Sequence, residues 1–141
     1  MIVRLVTTAT ERDAAYAVRR TVFQDEQRVP PELEFDGDDD WAVHVIAEAD
    51  GVVVGTGRVL LNPEYAKIGR MAVLQPWRRH GTGRALLDAL LREASGRGAT
   101  RAVLHAQVHA IDFYARAGFT VFGDEFDEAG IPHRQMERAL P

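Results

Sequence analysis

The residues with the most chemistry in them lie together in Arg78-Arg79-His80-Gly81-Thr82-Gly83-Arg84. Glycine lets a backbone turn through positive φ and come close to a ligand. The first turn of a helix has unpaired N–H groups and the positive end of the helix dipole. Where a glycine turn opens a helix, the two together suit a phosphate or pyrophosphate. Arg78, Arg79 and Arg84 add cationic forks that match phosphate oxygens. The plain alternative is a tight turn. The stretch is not a P-loop, because no Gly-Lys-Ser/Thr follows. It is not a dinucleotide fingerprint either, because Leu86 stands where a third small residue is needed. A second group is acidic: Asp25, Glu26, Glu32, Glu34, Asp36, Asp38, Asp39 and Asp40, relieved within that span by Arg28. Such a patch would attract a cationic amine, or it is a solvated loop.

These residues need elements to hold them. Ile2 to Thr8 alternates and is rich in β-branched residues, which predicts a strand. Thr10 with Asp13 predicts the N-terminus of a first helix, running to about Gln24. Asp25 to Asp40, with Pro30-Pro31, reads as loop or short helix. Trp41–Ala49 and Val52–Leu60 read as strands joined by the Asp50-Gly51 hairpin signal. Tyr65 to Leu74 predicts another strand. Leu86, Leu87, Leu90, Leu91 and Ala94 make one apolar stripe, so Gly83–Arg97 is the clearest helix. Arg101–Gln107 is a strand and Ala110–Ala117 a short helix. Phe119–Gly123 and His133–Leu140 are two last strands with a polar loop between them. Helices scattered among mostly antiparallel strands give an α+β class.

A chain of 141 residues is one domain, 1–141. With no cysteine, disulfides, thiolate metal sites and a cysteine nucleophile are excluded. Seventeen Lys and Arg against 21 Asp and Glu give a net charge of −4. That balance argues against nucleic acid and anionic membrane as partners. No apolar run approaches the ~18 residues of a membrane span. The opening residues are too short and interrupted for a signal peptide, so the expected location is the cytoplasm.

Arg78-x-x-Gly81-x-Gly83 resembles the acyl-CoA pyrophosphate loop of the GNAT superfamily of N-acetyltransferases. Met71-Ala72-Val73 before it resembles that family's fourth strand, and Ala110-Ile111-x-Phe113-Tyr114-x-x-x-Gly118-Phe119 resembles its second landmark. The landmarks come in the family's order, and the resemblance covers nearly the whole chain. Arg19-Arg20-x-Val22-Phe23-x-x-Glu26-Gln27-x-Val29-Pro30, Glu34-Phe35-Asp36 and Gly130-Ile131-Pro132-His133 are similar to the bacterial ElaA-like branch.

The resemblance implies a mainly antiparallel central sheet flanked by helices. Two strands, ending near Val73 and Gln107, would splay into an acyl-CoA cleft. It implies acetyl-CoA as co-substrate and no metal. Arg78, Arg79, His80, Gly81, Thr82, Gly83 and Arg84 would hold the pyrophosphate. The main chain of Met71, Ala72 and Val73 would pair with the pantetheine arm like an added strand. One N–H there would face the thioester oxygen, in the manner of an oxyanion hole. Phe113 and Gln107 would also border the cofactor, Gln107 standing where many relatives have Asn. Tyr114 would protonate the departing sulfur, since a phenol with a reference pKa of ~10 keeps its proton at neutrality. The base is open among Glu26, Glu34, Asp36, His105 and His133. Glu26 is preferred, because it follows the first helix where the family builds its acceptor pocket. The expected reaction moves an acetyl group from acetyl-CoA to a primary amine of a small molecule or peptide, by direct attack in a ternary complex. The alternative is a non-catalytic acyl-CoA sensor. A homodimer is left open.

Overall fold

The computed structural model describes residues 1–141 throughout. Seven strands form one sheet in the order β1-β2-β3-β4-β5-β7-β6. They are β1 (Ile2–Leu5), β2 (Val43–Ala49), β3 (Val52–Leu61), β4 (Ala66–Val73), β5 (Arg101–Gln107), β6 (Thr120–Glu128) and β7 (Ile131–Ala139). The helices are α1 (Ala9–Arg19), α2 (Pro31–Glu34), α3 (Thr82–Gly96) and α4 (Ile111–Ala115). α1 runs on into a π-helical turn over Arg20–Glu26, and short 3-10 turns cover Gly37–Asp40, Gln75–Trp77 and Val108–Ala110. All neighbouring strands are antiparallel except β4 and β5. The expected α+β class and its mainly antiparallel sheet are what the chain forms.

Strand alternation sorts the helices onto opposite faces. Val45 and Ala47 of β2 are buried with Leu86, Leu87, Leu90 and Ala94 of α3. Ile46 and His44 point the other way, and Tyr16 of α1 packs edge-on to His44. Val18 of α1 and Val22 of the π turn form a smaller core with Ala72 of β4.

Several predicted boundaries move. β1 stops at Leu5, so Thr8 rather than Thr10 caps α1. Its side chain accepts from the Glu11 N–H while Glu11 reaches back, a full capping box. The segment predicted as a polar loop after Gly123 is instead the second half of β6, which resumes its pairing with β7 after a register shift between Phe122 and Phe126 and keeps it to Glu128↔Ile131. Ala129 and Gly130 both take positive φ there, as do Asp50 and Gly51, the signature of a two-residue I′-type hairpin.

Candidate active site

The site begins where two strands part. β4 and β5 pair only at Ala66↔Ala102, Lys67↔Val103 and Ile68↔Leu104. Beyond that point β4 stays on β3 as far as Val73, and β5 stays on β7 as far as Gln107. A bulge helps to separate them: Arg70 and Met71 together oppose the single residue Gly57, and Arg70 takes φ 52°. Bulges bend a strand and raise its twist. The Leu74 N–H bonds back to the Val54 carbonyl on β3. By antiparallel alternation, the N–H and C=O of Val73 therefore point away from β3, into the gap. The gap is a cleft of about 670 Å³ lined by Met71, Ala72, Val73, Arg78, Gln107 and Tyr114, among others.

The glycine turn follows directly on Arg78. Arg79 (φ 65°) and Gly81 (φ 80°) are both left-handed, on either side of His80. Turns of this kind aim successive N–H groups into one concavity. The first helical bond of α3 runs from the Ala85 N–H to the Gly81 carbonyl. The N–H groups of Thr82, Gly83 and Arg84 thus lack helical partners, and no side chain caps them. The two glycines serve different ends. Gly81 supplies positive φ, whereas Gly83 does not. A Cβ on Gly83 would sit 3.3 Å from Cζ of Phe113, so this glycine lets α4 close on α3. Thr82 is buried, and its hydroxyl donates to the Trp77 carbonyl at 3.3 Å.

Two of the three arginine side chains have partners within the protein. Nε of Arg78 donates to the Val73 carbonyl, and its terminal nitrogen meets Glu26, both at 2.8 Å. Arg84 donates to Asp88 at 3.0 Å and to the Arg116 carbonyl at 3.4 Å. Arg79 and His80 are exposed. The groups at the turn that are free to meet an anion are therefore its amides, with Arg79 and His80 beside them. Arg78 instead ties the end of β4 to the π turn.

Tyr114 lies on α4, its ring edge-on to Phe113 at 5.0 Å and to Phe119 at 6.1 Å. Burial alone pushes its phenol up to about 12. Gln107 exchanges two amide bonds with Gln27, at 2.9 and 3.4 Å, which strap β5 to the residue after the π turn. Sequence reading did not single out the role of Gln27 or of Phe23, another residue of the cleft wall.

Part of the acidic segment is built into the fold: Glu34 and Asp39 are buried, whereas Asp25, Glu32 and Asp40 are exposed. Arg19, 1% exposed, holds both oxygens of Glu34 and both of Asp39. Arg58, also buried, holds Asp36 through two bonds and shares Asp39. Arg70 bonds the carbonyls of Leu33 and Glu34 and reaches Asp36. The Arg58 guanidinium, through its hydrogen bonds first, holds the Asp36 carboxyl down at about 2. Three of the eight acids are thus neutralised and fix the wall of the cleft. The arginines that do this lie far away in sequence, on α1, β3 and β4.

Among the candidate bases, Glu34, Asp36, His105 and His133 line the cleft. Glu26 is exposed and held by Arg78. His105 lies 2.9 Å from Glu128, whose acidic neighbours predict a loop. No group of three or more His, Asp or Glu is arranged to hold a metal ion.

The comparisons with known proteins agree with this geometry. Residues 8–140 match the family profile described as "Acetyltransferase (GNAT) domain". The chain is 39% identical over 126 residues to the uncharacterized N-acetyltransferase YjcF of Bacillus subtilis (strain 168), covering 89% of each. Among solved structures, it is similar to an acyl-CoA N-acyltransferase from Pseudomonas aeruginosa, with 30% identity and TM-score 0.88, over 99% of this chain and 100% of that one. It is also similar to Escherichia coli ElaA, with 25% identity and TM-score 0.84, over 97% and 99% of the two chains. The parted strands, the glycine turn and the family match lead to one conclusion: the chain belongs to the GNAT acetyltransferase family.

Proposed function

We propose that this protein transfers an acetyl group from acetyl-CoA to the primary amine of a small molecule or peptide, both substrates being bound together. The observation that carries this reading is the unpaired edge of β4 running into the uncapped glycine turn. The structure fits the co-substrate. The Val73 N–H faces the gap, and the amides of Thr82, Gly83 and Arg84 are free at its end. A pantetheine arm would add to the β4 edge as a strand does, with the pyrophosphate on the turn. When bound, acetyl-CoA supplies an activated acyl thioester.

The chain's own groups then have separate tasks. The Val73 N–H donates to the thioester oxygen as charge develops there. Removing one such donor elsewhere costs roughly 2.7–4 kcal/mol of barrier. Tyr114 keeps its proton throughout the working range, with its phenol at about 12. Against a thiol near ~8.5, such a phenol is a reluctant acid. Its contribution is a hydrogen bond to the departing sulfur, and the proton that ends on the sulfur is balanced by the one the attacking nitrogen loses.

The ElaA-like branch is part of the same proposal. It is supported by the fold similarity to ElaA and by Arg19, Glu34 and Asp36, branch-like positions that meet in one network. The acceptor would enter from the side of the cleft lined by Phe23, Leu33 and Asp38, where Asp38 is among the acids without an arginine partner. The test is release of free thiol from acetyl-CoA in the presence of a panel of primary amines. Amine-dependent release supports the transferase. CoA binding without release by any amine supports the sensor instead.

A further inference from the structure

One polar cluster in the cleft is carried by β5, β6 and β7. On β5, β7 and β6 the register pairs Gln107↔His133, Phe126↔His133 and Glu128↔Ile131. Alternation then puts His105, His133, Phe126 and Glu128 on one face of the sheet. His105, Glu128 and His133 line the cleft. Nδ1 of His105 is 2.9 Å from Oε1 of Glu128. Glu128 is held below the usual carboxylate range, first by this hydrogen bond and then by the charges of His105, His133 and Lys67, against its burial. An ionised carboxylate only accepts, so Nδ1 must carry the hydrogen. In the neutral ring Nε2 then keeps its lone pair. Phe126 packs edge-on to His105 at 5.1 Å and limits the ring's freedom.

His133 differs. Its Nδ1 is 2.7 Å from the Ile131 carbonyl, and its Nε2 is 3.6 Å from Glu128, beyond hydrogen-bonding distance. It is 6% exposed, whereas the His105 side chain is 28% exposed. The charged or titratable groups facing His105 are Glu128 from β6, His133 from β7, and Lys67 and Arg70 from β4. His109 after β5, and Glu34, Asp36, Asp38, Arg58, Arg78 and Tyr114 elsewhere on the cleft wall, complete the set. Glu26, preferred from sequence, is exposed and bound to Arg78.

We propose that His105 is the general base that removes a proton from the acceptor's ammonium group, with Glu128 the positioning residue that fixes its tautomer and steadies the imidazolium. The inference rests on the transferase reading. An N–H bond of the ammonium breaks and its proton goes to Nε2. The freed lone pair forms the N–C bond, the nitrogen, now cationic, gives up a second N–H proton, and the C–S bond breaks with one proton delivered to the sulfur, so that Tyr114 ends as it began. The His105 proton is then released to solvent.

The test uses two probe amines at one pH of about 7.5: benzylamine, which is nearly all ammonium there, and trifluoroethylamine, which is nearly all neutral. His105→Ala should lower kcat with benzylamine about 10²-fold, leave trifluoroethylamine within a few-fold, and leave CoA affinity unchanged. The acid limb of kcat/KM for benzylamine should also move up to the ionisation of the amine itself. Equal losses with both amines, or no loss with either, would overturn the assignment. A readout independent of turnover is the ring-nitrogen NMR spectrum of the free protein. It should show His105 with hydrogen on Nδ1, and Glu128→Gln should weaken that preference. A ring with hydrogen on Nε2, or one indifferent to Glu128→Gln, would also overturn it. If the wild-type protein releases thiol with neither probe, that counts against the transferase reading, and the spectrum alone decides the state of His105.

Discussion

Tyr114 and Gly83 are linked through Phe113, whose ring lies against both. Replacing Tyr114 with Phe removes a donor and keeps the packing. We expect kcat to fall about 10²-fold with little change in the KM for acetyl-CoA. The wild-type phenol stays protonated below about 12, so no alkaline loss of rate below about pH 10 should trace to this group. A limb there that vanishes in Tyr114→Phe would contradict the assignment. The glycines separate by the same logic. Gly81→Ala forces a Cβ into a left-handed turn, at about 1–2 kcal/mol, and should weaken CoA binding in a calorimetric titration. Gly83→Ala gains up to about 1 kcal/mol of helix propensity. The added Cβ must also push the Phe113 ring by a few tenths of an ångström. Its stability should change little, and its kcat should fall more than its affinity for CoA.

At the scale of elements, the acidic segment is fixed by α1. Arg19→Ala would leave Glu34 and Asp39 buried without their guanidinium. Breaking such a buried pair costs about 3–5 kcal/mol, which urea unfolding should register as a lower midpoint. The contrast between α3 and this segment explains what was legible beforehand. The α3 stripe, the Asp50-Gly51 hairpin and the glycine turn are local signals, carried by neighbouring residues, and the structure forms them all. The capping box at Thr8 and Glu11 was equally local, but it was obscured by reading β1 too long. Glu128 was hidden for a different reason. Asp124, Glu125, Asp127 and Glu128 make the second half of β6 look like a loop, and only its pairing with β7 shows otherwise. The partners of Glu34, Asp36 and Asp39 are carried by other elements, so no pattern along the chain could name them.

For the whole molecule, acid should act through the ion pairs that join elements. Asp36 and Glu11 are both held down at about 2, Asp36 chiefly by Arg58 and Glu11 chiefly by the backbone N–H of Thr7. Unfolded carboxyls titrate near ~4. The folded form therefore binds fewer protons between these values, and stability from these groups is complete above about pH 4 and is lost as pH falls through about 2. Urea midpoints should fall steeply from pH 4 to pH 2, and Asp36→Asn should flatten that fall while lowering stability at pH 7. The architecture as a whole serves a single feature, a sheet that opens between β4 and β5 beside an uncapped helix. The most direct measurement of that feature is an amide NMR titration of the protein with CoA. The account predicts shifts concentrated at Met71–Val73 and at Gly81–Arg84. Saturable CoA binding that leaves those amides unmoved, or no binding at millimolar CoA, would contradict it.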